Sequence, residues 1–270
     1  MADQGEANAR RYNNYACQMR SMITGWRDAW QPAMGSVPLL ANFTFVEHQL
    51  SACTYGGDVP GLRWSQQGSV APWTDLPNTA MTVGLDLFLL RTMNLSFKPC
   101  NSPLILGLFT CHDTFIGRRR YDAESPCANV HIRNKTAVGE RMARAAMHVS
   151  YGHTELSYTG PVADSFVLSE GALVIGFSGA TPPLSFKSIP NQTTEGQSQG
   201  IELLLGSNWT QAHAVVTGDL VTVALPKGGA SPTAVRYAWQ PIPTTQLLFD
   251  AVSTPAILPL CVVSRSSLRD

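Results

Sequence analysis

Hydrophobic side chains recur at three- and four-residue steps near the start of the chain, over residues 12–30. This spacing places them on one face and predicts a first helix whose aromatic stripe packs into the core. Gln31-Pro32 predicts the end of that helix, because proline lacks the amide hydrogen that a helix needs. The stripe consists of Tyr12, Tyr15, Met19, Met22, Ile23, Trp26 and Trp30.

Two short runs after this helix have the composition of buried strands. Residues 41–46 are rich in aromatic and β-branched side chains, and residues 80–87 form an apolar run with Asp86 near its end. Such runs suit the strands of an α/β sheet. A second helical pattern then follows, and Tyr151-Gly152 supplies its stop. Its apolar face consists of Val138, Met142, Ala145, Ala146 and Val149.

The pattern changes at about residue 150. Short apolar runs, separated by Gly, Pro, Asn and Ser, occupy residues 165–168, 172–177, 214–216 and 220–225. That spacing is typical of an antiparallel β-sandwich. We therefore expect an α/β unit over residues 1–150, followed by a β-sandwich module and C-terminal tail over residues 151–270.

Composition limits the classes of function. The formal net charge is zero, with 19 basic and 19 acidic side chains, so nothing indicates a nucleic-acid partner. Apolar runs such as residues 104–109 are too short to span a bilayer. The six cysteines lack paired C-x-x-C spacing, so we expect neither a metal nor another cofactor. They are Cys17, Cys53, Cys100, Cys111, Cys127 and Cys261.

Five asparagines lie in Asn-x-Ser/Thr sequons, which favours a glycosylated protein of the secretory pathway. However, Met1 is followed at once by a polar segment, so this sequence shows no signal peptide. A start that lies downstream of the natural one reconciles the two observations. The sequons are at Asn42, Asn94, Asn134, Asn191 and Asn208.

Two polar clusters carry candidate chemistry. The first, residues 4–8, contains the amides of Gln4 and Asn8 beside Gly5, and such donors can stabilise an oxyanion in acyl transfer. The second, residues 129–135, contains His131 just before the second helix, and an imidazole there can take and return a proton. Without further information, an ordinary loop and a surface histidine are the simpler interpretations.

The order of several segments resembles the sialate O-acetylesterases. Arg63-Trp64-Ser65-Gln66 is similar to that family's RWHQ stretch, and residues 76–87 are similar to MPNTFMAVAMDL. Residues 122–126 resemble its D-x-D-S-P segment, and residues 131–135 resemble HPRDK. Arg236-Tyr237-Ala238-Trp239 matches its RYAW motif. The matches follow the family's order and cover most of the chain.

This resemblance implies an SGNH-type hydrolase, with a flavodoxin-like three-layer α/β domain and an all-β module. Members remove acetyl esters, chiefly the 9-O-acetyl ester of sialic acids, by Ser-His-acid catalysis without a metal. They act in lysosomes or after secretion. By position, His131 would be the general base and acid, and Gln4 and Asn8 would belong to the oxyanion block. The resemblance leaves the orienting acid open between Asp122 and Glu124.

The chain departs from the family's pattern in three places. The nucleophilic serine has no counterpart at the family's position, and no G-D-S sequence replaces it. Many bacterial relatives have an aspartate two residues before the histidine, where this chain has Asn129. Residues 88–120 have no family equivalent, and they are either a surface insertion or an artefact of the gene model. We therefore expect the chain alone to lack esterase activity.

Two other hypotheses remain open from the sequence. A catalytically inactive protein would use the β-module to bind glycans or to regulate a partner. An acetylesterase of another acetylated sugar is the second alternative, because the motifs address the ester rather than the sugar. The sequence leaves the oligomeric state and the disulfide connectivity open.

Overall fold

The structure is a computed structural model, which describes residues 2–3, 5–31, 43–51, 57–70, 74–85, 135–169, 171–179, 181–187, 199–227, 231–241 and 247–249. Its first layer is a parallel sheet of strands β1 (Ala2–Asp3), β2 (Phe45–Gln49) and β3 (Thr79–Val83), in the order β1-β2-β3. In the register, Asp3 lies opposite His48 and His48 lies opposite Thr82. Strand β2 is therefore central, and all five of its residues are buried.

Helices cover both faces of this sheet. On one face, helices α1 (Tyr15–Trp30) and α2 (Val59–Gln67) share a core with Phe45 and Met81. On the other face, helix α3 (Thr136–Tyr151) packs Val138, Met142 and Ala145 against Val46 and Ala80. Successive side chains of each strand thus pack against opposite helix layers, as the pleat of a strand requires.

The first predicted helix is confirmed, although its aromatic stripe is only partly buried. Helix α1 begins at Tyr15, after a 3₁₀ turn at Tyr12–Asn14, and its buried residues are Tyr15, Met19, Ile23 and Arg27. Trp26 and Trp30 are instead 43% and 51% exposed, and their rings stack 6.2 Å apart. The expectation that they belong to the core was wrong, because the buried face advances in four-residue steps that bring Arg27 inward. Its guanidinium donates to the carbonyls of Phe43 and Pro77, at 2.8 and 2.9 Å.

Helix α2 is absent from the sequence prediction. Its nine residues are too few to show a clear period, and Pro60 and Gly61 lie in its first turn. The Asp58 side chain caps the helix by accepting from the Gly61 amide at 2.8 Å. The third helix, by contrast, has the predicted apolar face, and it ends at Tyr151 with Gly152 as the C-cap.

The predicted strands differ in their bounds. Strand β2 lies at residues 45–49 rather than 41–46, because its polar residues Glu47, His48 and Gln49 are buried through hydrogen bonds within the sheet and helix layers. Strand β3 ends at Val83, before the predicted end at Leu87. Asp86 lies outside the described residues.

The antiparallel strands predicted after residue 150 are confirmed. One sheet has the order β4-β5-β10-β9, a second β11-β7-β8, and a third pairs β12 with β6. Side chains of the first two sheets bury into one shared hydrophobic cluster, which also contains Leu248. The strands are β4 (Val162–Ser169), β5 (Ala172–Ser178), β6 (Ser185–Lys187), β7 (Ile201–Leu205), β8 (Asn208–Gln211), β9 (Ala214–Thr217), β10 (Leu220–Ala224), β11 (Ala234–Tyr237) and β12 (Leu247–Phe249).

The parallel sheet is in direct contact with the antiparallel sheets that follow residue 150. Val83 and Leu85, at the end of β3, join the hydrophobic cluster of the antiparallel sheets. Arg63 on α2 donates to the carbonyls of Gln240 and Pro241, at 3.1 and 2.6 Å. The boundary that we place near residue 150 stays a prediction.

Among the described residues, no helix has the length and apolarity to cross a membrane. Nor do their His, Cys, Asp and Glu side chains gather into a group suited to a metal ion. Of the cysteines, the structure describes Cys17, which is exposed on α1. Of the sequon asparagines it describes Asn208, which is exposed at the start of β8.

We expect Arg63→Met to lower the free energy of unfolding by about 2–4 kcal/mol, because two carbonyls lose a charged donor. Urea unfolding of the chain measures the change. Arg20→Met is the matched control, since the contact of the Arg20 guanidinium with the described residues is an exposed ion pair with Asp75 at 3.7 Å, and it should change stability by less than about 1 kcal/mol. Equal losses of unfolding free energy in the two variants would show that Arg63 does not connect helix α2 to the antiparallel sheets.

Candidate active site

The carboxyl ends of the three parallel strands meet at one edge of the sheet. Gly5 and a 3₁₀ turn, Glu6–Asn8, follow β1, while Ser51 lies just beyond β2 and Gly84 follows β3. In open α/β sheets, ligands bind in the crevice outside the carboxyl ends of the strands. This edge is therefore the candidate active site, and it contains residues 5–8 of the first polar cluster.

The turn after β1 holds Asn8 in a defined place. The Asn8 amide donates to the Gly5 carbonyl at 2.7 Å, which closes the turn. The Asn8 side chain donates from Nδ2 to Oε1 of Gln18, on the first turns of α1, at 3.0 Å. A primary amide has two hydrogens, so one hydrogen of Nδ2 is not used by any residue that the structure describes.

The other predicted site residues lie outside the described part of the chain. These are Gln4, Asp122 and His131, together with the alternative acid Glu124 and the departure at Asn129. Their roles stay predictions.

Helix α3 begins at the same edge. Near its start, the Arg141 guanidinium donates to the carbonyl of Val83, the last residue of β3. Near its end, Ser150 Oγ donates to Thr44 Oγ1, just before β2, at 2.7 Å. The helix therefore runs antiparallel to the strands. Its first residue, Thr136, lies toward the carboxyl edge.

A histidine and a serine that the sequence analysis did not select also lie at this edge. His48 is buried, and its Nδ1 is 2.8 Å from Thr82 Oγ1. A Cβ added at Gly84 would lie 2.5 Å from His48 Nε2 and 2.6 Å from Ser51 Oγ. Glycine is required at position 84, because any side chain would displace these two groups. No periodic signal marks them, since the strand pattern predicts only apolar residues here.

A buried carboxyl group lies beneath the edge, on β2. Glu47 Oε1 accepts from the Tyr15 hydroxyl at 2.8 Å and from Gln66 Nε2 at 3.3 Å. Ser69 Oγ is 2.5 Å from Glu47 Oε2 and also contacts the Gln66 carbonyl. A hydroxyl has one hydrogen and cannot donate to both oxygens. All contacts are satisfied when Glu47 is protonated and donates to Ser69, which then donates to Gln66.

The environment of Glu47 agrees with this assignment. Burial raises the pKa of Glu47 to about 7, and the hydrogen bonds that Glu47 accepts from Tyr15 and Gln66 moderate the rise. Burial also raises the pKa of Tyr15, so its hydroxyl remains a donor. The Glu47 carboxyl group is therefore a protonated contact between the parallel sheet and helices α1 and α2.

Comparisons with known proteins find similar sequences among the sialate O-acetylesterases. No family model matches the chain. The chain is 30% identical to rat (Rattus norvegicus) sialate O-acetylesterase over 169 residues, 59% of this chain and 24% of the rat protein. It is 26% identical to the mouse (Mus musculus) sialate O-acetylesterase over 269 residues, 95% of this chain and 42% of the mouse protein.

A solved structure extends the comparison to the fold. A carbohydrate acetylesterase from Xanthomonas citri superposes with a TM-score of 0.62 at 27% sequence identity, over 94% of this chain and 48% of that protein. The chain is therefore similar in sequence to sialate O-acetylesterases and in fold to a carbohydrate acetylesterase. It spans less than half the length of each of these proteins.

The segments that resemble the sialate O-acetylesterases have structural roles where they are described. Arg63, from the segment on α2, contacts Gln240 and Pro241, which directly follow the segment on β11. In that second segment, Arg236 forms a bidentate ion pair with Glu202, at 2.7 and 3.2 Å, and its guanidinium lies 4.2 Å from the centre of the Trp209 ring. Two family-like segments, distant in sequence, are therefore neighbours in space.

We expect Glu47→Gln to stabilise the chain at alkaline pH. The folded pKa of about 7 lies above the ordinary value of 4.5, so the folded state holds an extra proton between these values. Parent stability is thus complete below about pH 4.5 and falls by about 3 kcal/mol as pH rises through 7. Glutamine keeps every contact without titrating, so the variant's advantage should be largest at pH 8.5 and small at pH 5.

Urea unfolding at several pH values tests this expectation. Glu140→Gln, at an exposed position of α3, is the control and should leave the pH dependence unchanged. A Glu47→Gln variant that is less stable than the parent at pH 8.5 would show instead that the fold needs the ionised carboxylate.

Proposed function

We propose that the protein containing this chain is a sialate O-acetylesterase, which hydrolyses O-acetyl esters of sialic acids, chiefly at the 9-position. The alignment to sialate O-acetylesterases across 95% of the chain carries this proposal. The candidate edge supports it, because the residues that follow β1 and the start of α3 meet at the carboxyl end of a parallel sheet. On this proposal the α/β part is an SGNH-like three-layer domain, and the antiparallel sheets form a β-sandwich module.

The proposed mechanism uses a serine, a histidine and an acid. The serine hydroxyl attacks the acetyl carbon, while His131 takes its proton and returns it to the departing sugar hydroxyl. Amides of Gln4 and Asn8 donate to the oxygen that becomes negative. Asp122 orients the imidazole, and water then hydrolyses the acetyl-serine. We place the serine in the part of the family's length that this chain does not span.

Chain geometry supports the role of His131. Helix α3 runs antiparallel to the strands and starts toward their carboxyl ends, as its contacts with Val83 and Thr44 require. His131 lies four residues before Lys135, and four residues of chain reach at most about 14 Å. On this proposal, the segment before Lys135 brings the imidazole to the edge at which α3 starts. Asn8 approaches the same edge from β1.

Two features bear on substrate and location. The Xanthomonas citri relative is a carbohydrate acetylesterase, which favours an acetylated sugar as the substrate class and keeps sugars other than sialic acid as the second candidate. Asn208 is an exposed sequon asparagine at a hairpin, accessible to glycosylation. That accessibility supports a lysosomal or secreted protein.

We expect His131→Ala to lower kcat/KM about 10⁴-fold or more in the enzyme that carries this chain together with its nucleophile, because the serine loses its base. The assay follows acetate release from 9-O-acetylated sialic acid and, in parallel, from acetylated xylose. Preference for the sialic acid supports the proposal, and preference for the xylose ester assigns the second candidate.

The isolated 270-residue chain provides the complementary measurement with a chromogenic acetate ester. It should show no turnover above that of its own His131→Ala variant. Turnover that this variant abolishes would mean that the nucleophile lies within the chain. A parent enzyme whose activity survives the change would remove His131 from the mechanism.

We expect Asn8→Ala to lower kcat by about 10²–10³-fold with little change in KM, because an oxyanion donor acts mainly in the transition state. Steady-state kinetics of the same enzyme measure both constants. Asn14→Ala is the matched control: Asn14 precedes α1, is exposed, and makes no capping hydrogen bond through its side chain. A change in KM alone would assign Asn8 to substrate binding.

A further inference from the structure

A pocket of about 480 Å³ lies between the start of α1 and the last turns of α2. Its volume falls within the range of small-molecule sites, roughly 300–1,000 Å³. None of its residues follows the carboxyl end of a strand, and the proposed mechanism uses none of them. The lining residues are Tyr12, Asn13, Ala16, Trp64, Ser65, Gln67 and Gly68.

Trp64 gives this pocket an aromatic wall. All residues of helix α2 except Trp64 are buried, whereas Trp64 is 36% exposed. Tyr12 contributes a second ring to the lining. A large aromatic side chain on an otherwise buried helix indicates a surface used for binding, because folding gains little from an indole left in water.

Gln67 lines the pocket, and the amide oxygen of its buried side chain lacks a hydrogen-bond partner. The side chain is 4% exposed, and its Oε1 has no hydrogen-bond partner among the residues that the structure describes. A buried amide oxygen without a partner costs about 1–3 kcal/mol. Its neighbour Gln66 uses both amide atoms, one toward Glu47 and one toward the Leu50 amide. Gln67 therefore has hydrogen-bonding capacity that internal packing does not use.

The chemistry of the lining specifies a neutral ligand that has both apolar and hydroxyl groups. Aromatic, amide, hydroxyl and small apolar groups line the pocket, and none of the lining residues that the structure describes carries a charge. A pyranose ring fits this set, since its C–H face packs on an indole while its hydroxyls donate to and accept from amides. An anionic sugar would lose its hydration without meeting a cation.

We propose that this pocket binds a neutral hexopyranose unit, as a glycan-binding site separate from the candidate active site. Trp64 provides the stacking face, and Gln67 accepts a hydrogen bond from a ring hydroxyl. The site would hold a neutral sugar of the same glycan chain from which an ester is removed, although its binding does not depend on esterase activity.

Saturation-transfer NMR of the 270-residue chain tests the proposal with the methyl glycosides of glucose, galactose, mannose and N-acetylglucosamine. At least one should bind, while N-acetylneuraminic acid, which is anionic, should bind at least about tenfold more weakly. Trp64→Ala should weaken binding of that neutral sugar about tenfold or more. Trp30→Ala, at an exposed tryptophan of α1, is the matched control and should leave binding unchanged.

Gln67→Leu separates ligand binding from folding. Leucine removes an amide that packing does not satisfy, so binding should weaken about fivefold or more while the midpoint of thermal unfolding stays the same or rises. A lowered midpoint would assign Gln67 to internal packing and overturn its role. No saturation transfer to any of the four glycosides would overturn the site. Neither result bears on ester hydrolysis, which is measured separately.

Discussion

Three consecutive polar residues on the central strand, Glu47, His48 and Gln49, are the constraint on which the α/β part of this chain depends. A strand with helices on both faces has no water to solvate such groups, so each must find a partner in a neighbouring element. Glu47 contacts α1 and α2, His48 contacts β3, and Gln49 Nε2 donates to the Arg63 carbonyl on α2 at 3.0 Å. An apolar strand would permit sliding of the helices. These contacts instead fix their positions.

Arg63 connects these contacts to the residues that follow the antiparallel strand β11. The main chain of this residue accepts from Gln49, while its guanidinium donates to Gln240 and Pro241. A continuous set of hydrogen bonds thus runs from the central strand, through α2, to the end of the segment at residues 236–239. This geometry gives the two family-like segments at 63–66 and 236–239 a structural role, because their contacts hold the parts of the fold together.

The sequence predicts elements whose side chains repeat with a clear period. Helices α1 and α3 and the antiparallel strands were found in this way. Strand β2 was misplaced because burial of charged and amide groups contradicts the apolar pattern, and helix α2 was missed because nine residues with an early proline show no period. The candidate site follows the same rule. Asn8 was found through a resemblance, whereas His48 and Ser51 come together only through the parallel register and the absence of a side chain at Gly84.

The turn that carries Asn8 is positioned by the layer beneath it rather than by its own sequence. Gly5 is buried with φ of 146°, a conformation open to glycine but strained for other residues. A Cβ at this position would lie 3.3 Å from Leu62, 3.4 Å from Tyr15 and 3.6 Å from Gln66. Tyr15 and Gln66 also donate hydrogen bonds to Glu47. The side chains that contact the buried carboxyl group therefore lie directly beneath the turn. The geometry of the candidate oxyanion donor therefore depends on the protonated Glu47, although this carboxyl group lies outside the proposed reaction.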